Sequence, residues 1–266
     1  MLKYLTILLD DTSTSFCHYE NPKKNFKLIG LADLKAGIMF AIKKNLIIQI
    51  VLPNYELPQE YNEVIHSVEH ISIISSLCED STLQVNADIV VFDDWIGLDL
   101  YSFKEGVTCL IRTSKHDFFE RYLFLQRPLS MAARVNIILT DIKTFNDKDT
   151  EKYEKILATL SEKIEKLCLK GKSPQLNLLT NRIRLRGMNN CDEDMGNITL
   201  APNGKFYVCP AFYLVDDFET KFSLGDLKSG LDLEKLQRYK FCSTPPCQNC
   251  NTYQHIKILI YQKVFR

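Results

Sequence analysis

Short apolar runs alternate with amphipathic stretches along most of the chain. The apolar runs occupy residues 3–9, 45–52, 71–74, 87–92, 107–112, 135–139 and 176–185. Continuous apolar runs of this length are typical of strands covered on both faces, as in parallel sheets. The pattern therefore predicts an α/β fold, either a partial (β/α) barrel or an open, mostly parallel sheet.

Two longer stretches have helical periodicity instead. Residues 31–44 place five apolar side chains broadly on one side: Leu31, Leu34, Met39, Phe40 and Ile42. Residues 150–169 carry an apolar stripe that ends before Gly171 and consists of Tyr153, Ile156, Leu157, Leu160, Ile164 and Leu167. Both stretches are predicted to be amphipathic helices.

The composition shifts near residues 187–191, which predicts two domains, 1–186 and 187–266. Beyond the shift, two β-prone runs between Ile198 and Cys209 flank Asn203-Gly204. Asn-Gly between such runs is a strong hairpin signal. We therefore expect a small, cysteine-rich C-terminal β-hairpin module after the α/β domain.

Bulk charge excludes some partners. The 266 residues contain 33 Lys plus Arg and 33 Asp plus Glu, so net charge steers the protein neither to nucleic acid nor to an anionic membrane. The apolar N-terminal run is too short for a membrane span and lacks the features of a secretory signal. A cytoplasmic protein without a membrane span is predicted, and in that reducing compartment clustered cysteines favour metal binding or catalysis over disulfides.

Five of the nine cysteines lie in the last 76 residues: Cys191, Cys209, Cys242, Cys247 and Cys250. The predicted hairpin carries Cys209 back toward Cys191, and Cys247-x2-Cys250 has the spacing of two thiolates that share one metal centre. Four soft ligands arriving as two pairs suit tetrahedral zinc or an iron–sulfur cluster, and ligand chemistry alone leaves both open. Cys242 and His255 are alternative ligands.

The spacing C-x12-G-x4-C, followed downstream by C-x2-C, resembles the auxiliary-cluster module of radical S-adenosylmethionine enzymes, known as SPASM or, when shortened, Twitch. More narrowly, the chain resembles the CXXX repeat peptide maturases of ribosomally synthesised, post-translationally modified peptide systems. The resemblance runs through Leu5–Pro22, Asn136–Asp141, Asn177–Arg182 and the cysteine module. It implies a [4Fe–4S] cluster rather than zinc, with Cys191, Cys209, Cys247 and Cys250 as ligands.

The resemblance also implies a radical-enzyme-like first domain and a cysteine-rich precursor peptide as partner, with another maturation protein as a further candidate partner. The chain departs from the family because it has no C-x3-C-x2-C triplet for S-adenosylmethionine; only Cys17 follows the first strand. We therefore expect a peptide maturation protein that acts on or presents its peptide. The alternative is a non-catalytic peptide-binding scaffold with a structural zinc or iron–sulfur site.

Several other residues are candidates for chemistry because α/β folds place their sites at the carboxyl ends of strands. Asp10, Cys17 and His18 are catalytic candidates after the first strand, beside Asp11. A second acidic corner follows residue 92, and a cationic strand face is predicted further on. These two sets are Asp93, Asp94 and Trp95, and Arg182, Arg184 and Arg186. Cys78, Cys109 and Cys168 have apolar neighbours and are predicted to lie in the core.

Overall fold

The computed structural model of the chain describes residues 2–17, 19–78, 86–141, 144–179, 196–214 and 222–240. These residues fall into two compact units. Unit 1 holds the described residues within Met1–Ser15, Tyr19–Asn86 and Cys191–Cys250, and unit 2 holds those within Phe16–His18 and Ala87–Asn190. The predicted boundary between residues 186 and 187 lies outside the described residues and stays a prediction.

The described strands, in chain order, are β1 (Tyr4–Leu8), β2 (Ile47–Val51), β3 (Ile71–Ser75), β4 (Ile89–Phe92), β5 (Thr108–Thr113), β6 (Arg134–Leu139), β7 (Gln175–Leu176), β8 (Asn197–Leu200), β9 (Phe206–Tyr207), β10 (Gly225–Asp226) and β11 (Gly230–Leu231). The described helices are α1 (Leu31–Lys44), α2 (Gln59–His66), α3 (Trp95–Leu100), α4 (Lys115–Arg121), α5 (Gln126–Met131), α6 (Asp147–Cys168), α7 (Ala211–Leu214) and α8 (Leu233–Lys240), with a 3-10 turn at Tyr122–Leu125.

In unit 1 the strands are ordered β3-β2-β1-β8-β9. The pairings β3–β2, β2–β1 and β1–β8 are parallel, and β9 returns antiparallel to β8. The N-terminal strand is therefore central, with Thr6 paired to Gln49 on one side and to Thr199 on the other. A short antiparallel ribbon of β10 and β11 belongs to the same unit.

Helix α1 has the predicted bounds but buries a different face. Its buried residues are Leu34, Gly37, Ile38 and Ala41, which recur at helical spacing. The predicted face included Met39 and Ile42, and this was wrong because both side chains are about half exposed. A Cβ atom at Gly37 would lie 2.3 Å from Leu200 Cδ2 and 3.8 Å from Ile7 Cδ1, so α1 packs closely on β8 and β1.

In unit 2 the strands β4, β5, β6 and β7 pair in parallel in chain order. Helix α6 begins at Asp147 behind a capping box in which Asn146 and Asp149 satisfy each other's backbone N–H groups. The hydrogen bond from Lys115 and that from the Asn146 backbone hold the pKa of Asp149 below its ordinary value. This cap explains why the helix starts three residues before the predicted position 150.

The predicted last strand, residues 176–185, was wrong in part. Strand β7 ends at Leu176, and residues 177–179 are helical. The side chain of Asn177 forms two hydrogen bonds with the backbone of Ile137 on β6, of 2.8 and 2.9 Å. These side-chain bonds replace the backbone hydrogen bonds that a longer β7 would have made with β6. Residues 180–185 lie outside the described part of the chain.

The prediction of an α/β fold with mostly parallel strand pairing is confirmed. The apolar runs near residues 5, 48, 73, 90, 110 and 137 all become strands, and each carries fully buried side chains. Within the described ranges, no helix is both long and apolar enough to cross a membrane.

Candidate functional site

Cys209 stands two residues after β9, at the end of the β8–β9 hairpin. The hairpin turns through Pro202, Asn203 and Gly204, with hydrogen bonds from Gly204 N–H to Ala201 O (2.9 Å) and from Ala201 N–H to Lys205 O (3.1 Å). Gly204 has a φ of +74°, as expected for the last residue of a three-residue hairpin loop. The predicted hairpin is confirmed, with Asn-Gly as the last two loop residues.

The residues around Cys209 are set in the core. Tyr207, Val208, Phe212 and Leu214 are each at most 3% exposed, whereas Cys209 itself is half-buried. The chain turns at once into α7, because the carbonyl groups of Cys209 and of Pro210 accept N–H groups from the next helical turn at 2.9–3.1 Å. This packing fixes the backbone that presents the Cys209 thiol.

Tyr213 joins this segment to the loop after β1. Its hydroxyl donates a hydrogen bond to Asp11 Oδ1, and both residues are buried. The Tyr213 ring packs on Tyr207 at 5.5 Å between centroids, and Lys23 Nζ lies over the Tyr213 ring at 4.2 Å from its centroid. Sequence reasoning missed Tyr213; its nearest signal is the aromatic cluster that directly follows Cys209-Pro210.

The remaining predicted cluster ligands, Cys191, Cys247 and Cys250, lie outside the described residues, as do the alternatives Cys242 and His255. Within the described part of the chain, no three His, Cys, Asp or Glu residues group together as a metal site. The four-cysteine ligand set therefore stays a prediction, with Cys209 as its described member.

Asp10 is engaged by four donors at the end of β1. Its Oδ1 accepts from the N–H (2.8 Å) and hydroxyl (2.5 Å) of Thr12, and its Oδ2 accepts from Lys27 N–H (2.8 Å) and Tyr55 hydroxyl (3.1 Å). Burial, and then the Asp10 carboxylate, raise the pKa of Tyr55, which keeps this hydroxyl a donor. These contacts hold the loop in place, and the catalytic role of Asp10 stays a prediction.

Cys17 belongs to unit 2, where its carbonyl oxygen accepts a hydrogen bond of 2.9 Å from Arg112 Nε. Arg112 is 6% exposed, lies next to the last residue of a buried strand and also pairs with Asp93 at 2.5 Å. Sequence reasoning missed Arg112, although a single arginine at the end of an apolar run was its visible signal. His18 lies outside the described residues, so a Cys17–His18 pair stays a prediction.

The second acidic corner has structural partners. Asp93 pairs with Arg112, Asp94 caps α3 by accepting from Gly97 N–H at 2.5 Å, and Trp95 Nε1 donates to Thr113 Oγ1 at 2.9 Å. Each of these three residues therefore anchors local structure in unit 2. The predicted cationic strand face at residues 182–186 lies outside the described residues.

Two of the three predicted core cysteines are confirmed. Cys78 is 1% exposed and Cys109 is fully buried, and this burial raises the pKa of the Cys109 thiol. The prediction for Cys168 was wrong because it is exposed. Cys168 is the last residue of α6, beyond the stretch that holds the buried residues Ile156, Leu157 and Leu160.

Comparison with known proteins bears on the fold. No family model and no curated protein matches the chain. Streptococcus suis SuiB, whose crystal structure was solved bound to the precursor peptide SuiA, matches with a TM-score of 0.54 at 12% identity, over 94% of this chain and 70% of that chain. BtrN, in complex with AdoMet and 2-DOIA, has a TM-score of 0.30 at 11% identity, over 91% and 85%. The similarity to SuiB shows that the two chains share a fold.

Proposed function

We propose that this chain is a maturation protein of a ribosomally synthesised, post-translationally modified peptide system. It binds a cysteine-containing precursor peptide, and acts on it or presents it to another maturation protein in the cytoplasm. The fold supports this proposal, since SuiB, which shares it, was solved with a precursor peptide bound. The CXXX repeat, with cysteine at every fourth position, is the peptide that the sequence resemblance implies.

We further propose that Cys191, Cys209, Cys247 and Cys250 hold a [4Fe–4S] cluster. The observation that carries this is the β8–β9 hairpin, which turns at Gly204 and presents a half-buried Cys209 in the C-x12-G-x4-C spacing. A half-buried thiol on a backbone fixed by buried neighbours fits a cluster ligand, since ligation needs both access and a fixed position. A cluster bound there would supply one-electron redox capacity.

The peptide-binding scaffold without catalysis is a second candidate. It is favoured by the described contacts of Asp10, whose carboxylate is engaged by four donors at the strand end where a radical enzyme would bind its cofactor. In that case the cluster, or a zinc ion in its place, stabilises the C-terminal module.

Anaerobic purification followed by metal and sulfide assays tests the cluster. We expect about four iron and four sulfide per chain and a broad visible absorbance. Cys209→Ala should lose most of this iron, whereas Cys168→Ala, which removes an exposed thiol on α6, should keep it. Stoichiometric zinc in a colourless protein would contradict the cluster.

Incubating the anaerobic, reduced protein with a synthetic peptide of Cys-x-x-x repeats separates catalyst from scaffold. A mass change in the peptide supports an enzyme. Binding without a mass change supports the scaffold. If the peptide does not bind at all, the proposed function is wrong.

A further inference from the structure

Unit 2 carries an exposed apolar surface on two neighbouring elements. Helix α3 exposes two large side chains, and the segment from the 3-10 turn to the end of α5 exposes three more. All five are between 44% and 76% exposed; they are Ile96, Leu100, Leu123, Phe124 and Met131. We call this set the α3–α5 face.

The five side chains form one continuous patch. The two on α3 are four residues apart and therefore lie on one side of that helix. Phe124 and Met131 share a stripe with Arg127, because residues three or four apart in a helical segment are neighbours. Arg127 also links the two elements, since its guanidinium donates a hydrogen bond to the backbone oxygen of Asp99, next to Leu100.

The size of this face sets it apart from scattered apolar residues on a surface. Its exposed fractions correspond to roughly 600 Å² of apolar surface, and the largest patch on a typical monomer is about 300–600 Å². A standard interface buries about 800 Å² per partner, so the patch and its charged rim are large enough for one. Phe, Met and Arg are also enriched in interfaces, and this face combines Phe124, Met131 and Arg127.

The charges around the face are separated by element. On the α3 side, residues 94–100 include Asp94 and Asp99 and no basic residue. On the α5 side, residues 121–131 include Arg121 and Arg127 and no acidic residue. Three of these side chains are exposed, and Arg127 is half-buried. The two sides of the face therefore carry opposite charge.

A face with this arrangement is complementary to itself. A two-fold axis that lies in the interface, along the boundary between α3 and α5, places α3 of one chain against α5 of the other, and the reciprocal contact forms as well. Each contact then joins an acidic side to a basic side around an apolar centre. The other two-fold arrangement, with α3 against α3, would bring acidic side chains together.

We propose that the α3–α5 face is a self-association surface, on which a second copy of this chain docks with α3 of one chain against α5 of the other. Opposite charges set the orientation, and the apolar centre provides most of the affinity. The inference stands apart from the proposed function, since it uses neither the predicted cluster ligands nor a bound peptide.

Sedimentation of the full chain between about 1 and 100 µM tests this proposal. The 30.8 kDa chain should form a dimer at the upper end of that range. Phe124→Glu places a charge in the apolar centre and should weaken association at least about tenfold. Met39→Glu is the matched control, because Met39 on α1 is 50% exposed and Phe124 is 49% exposed. This control should associate as the wild type does.

A wild type that stays monomeric throughout would overturn the proposal and leave the face to a different partner. Association of Phe124→Glu with the affinity of the wild type would overturn it as well, because the dimer would then use another surface. Circular dichroism checks that each variant is folded.

A charge exchange tests the orientation of the two chains. Asp99→Lys and Arg121→Glu change exposed residues, and each puts like charges where α3 meets α5. Each should weaken self-association about threefold. An equimolar mixture of the two variants should associate more tightly than either alone, since the mixed pair has opposite charges at both contacts. A mixture that associates no more tightly would overturn the docking of α3 against α5.

Discussion

At the scale of single residues, Tyr213 connects two segments that lie 202 positions apart in sequence. One is the helical turn after Cys209, and the other is the loop after β1. The acceptor is the carboxylate of Asp11, which is 8% exposed, so the hydrogen bond is both buried and charge-assisted. The position of Cys209 is thereby tied to the strand-end loop of the same unit.

We expect Tyr213→Phe to lower the free energy of unfolding by about 1.5–3 kcal/mol, because it removes a buried hydrogen bond to a charged group. Urea denaturation measures this. Tyr61→Phe is the matched control, since the Tyr61 hydroxyl donates to the neutral carbonyl of Ile29 at 2.6 Å. Tyr61→Phe should lower the free energy of unfolding by about 0.5–1.5 kcal/mol. A Tyr213→Phe variant no less stable than the Tyr61→Phe variant would contradict the assignment.

Asp10 shows what the sequence could and could not predict at this scale. Its place at the end of a buried strand was visible in the pattern, and it made Asp10 a catalytic candidate. The donors Lys27 N–H and Tyr55 hydroxyl come from 17 and 45 residues away. No local pattern reports such partners, so sequence reasoning found the position of the carboxylate and missed what holds it.

At the scale of elements, the contact between α1 and β8 is made possible by Gly37. The helix spans the predicted residues because its apolar periodicity is local, and it ends at Asn45, which adopts the left-handed conformation. Its buried face was not predictable from apolar content, since a glycine and an alanine line it where larger residues had been expected. Close packing on Leu200 selects small residues there.

Gly37→Ala should destabilise the protein by about 1–2 kcal/mol, because overpacking against Leu200 exceeds the gain in helix propensity. Combining it with Leu200→Val should cost less than the sum of the two single changes, since Leu200 Cδ2 is the atom that a new Cβ would meet. Denaturant midpoints of the four proteins measure this coupling. If the two single changes were strictly additive, the close contact between residue 37 and Leu200 would not be the cause of the destabilisation.

At the scale of the whole molecule, the number of acidic side chains equals that of basic side chains. Long-range steering by net charge is therefore not available to attract a peptide. Binding should instead come from short-range hydrogen bonds and apolar contact, which salt screens little.

We therefore expect the affinity for an uncharged Cys-x-x-x peptide to change by less than about twofold between low and high salt. Fluorescence anisotropy across a salt series measures this, with a polylysine-tagged version of the same peptide as the control for residual charge effects. A steep loss of affinity with salt for the tagged peptide would indicate an acidic binding surface despite the balanced net charge.

Parallel pairing of β1 to β7 was predictable because fully buried strands have apolar runs with little alternation. The order of the strands in the sheet was harder to predict from the sequence. Strand β8 was recognised as half of a hairpin, but its pairing with β1 depends on residues brought together from opposite parts of the sequence, which periodicity does not encode. The polar alternation in Asn197-Ile-Thr-Leu was the one visible sign of its second face.

The central position of β1 has a consequence for synthesis. Tyr4 pairs with Asn197, so one edge of β1 stays unpaired until the ribosome has made all the residues between β1 and β8. At about 5–20 residues per second, that interval is roughly ten to forty seconds. During it, β1 can pair with β2 but leaves a strand edge with apolar side chains open to other chains. The nascent protein is therefore most exposed to aggregation before the hairpin with Cys209 has left the ribosome.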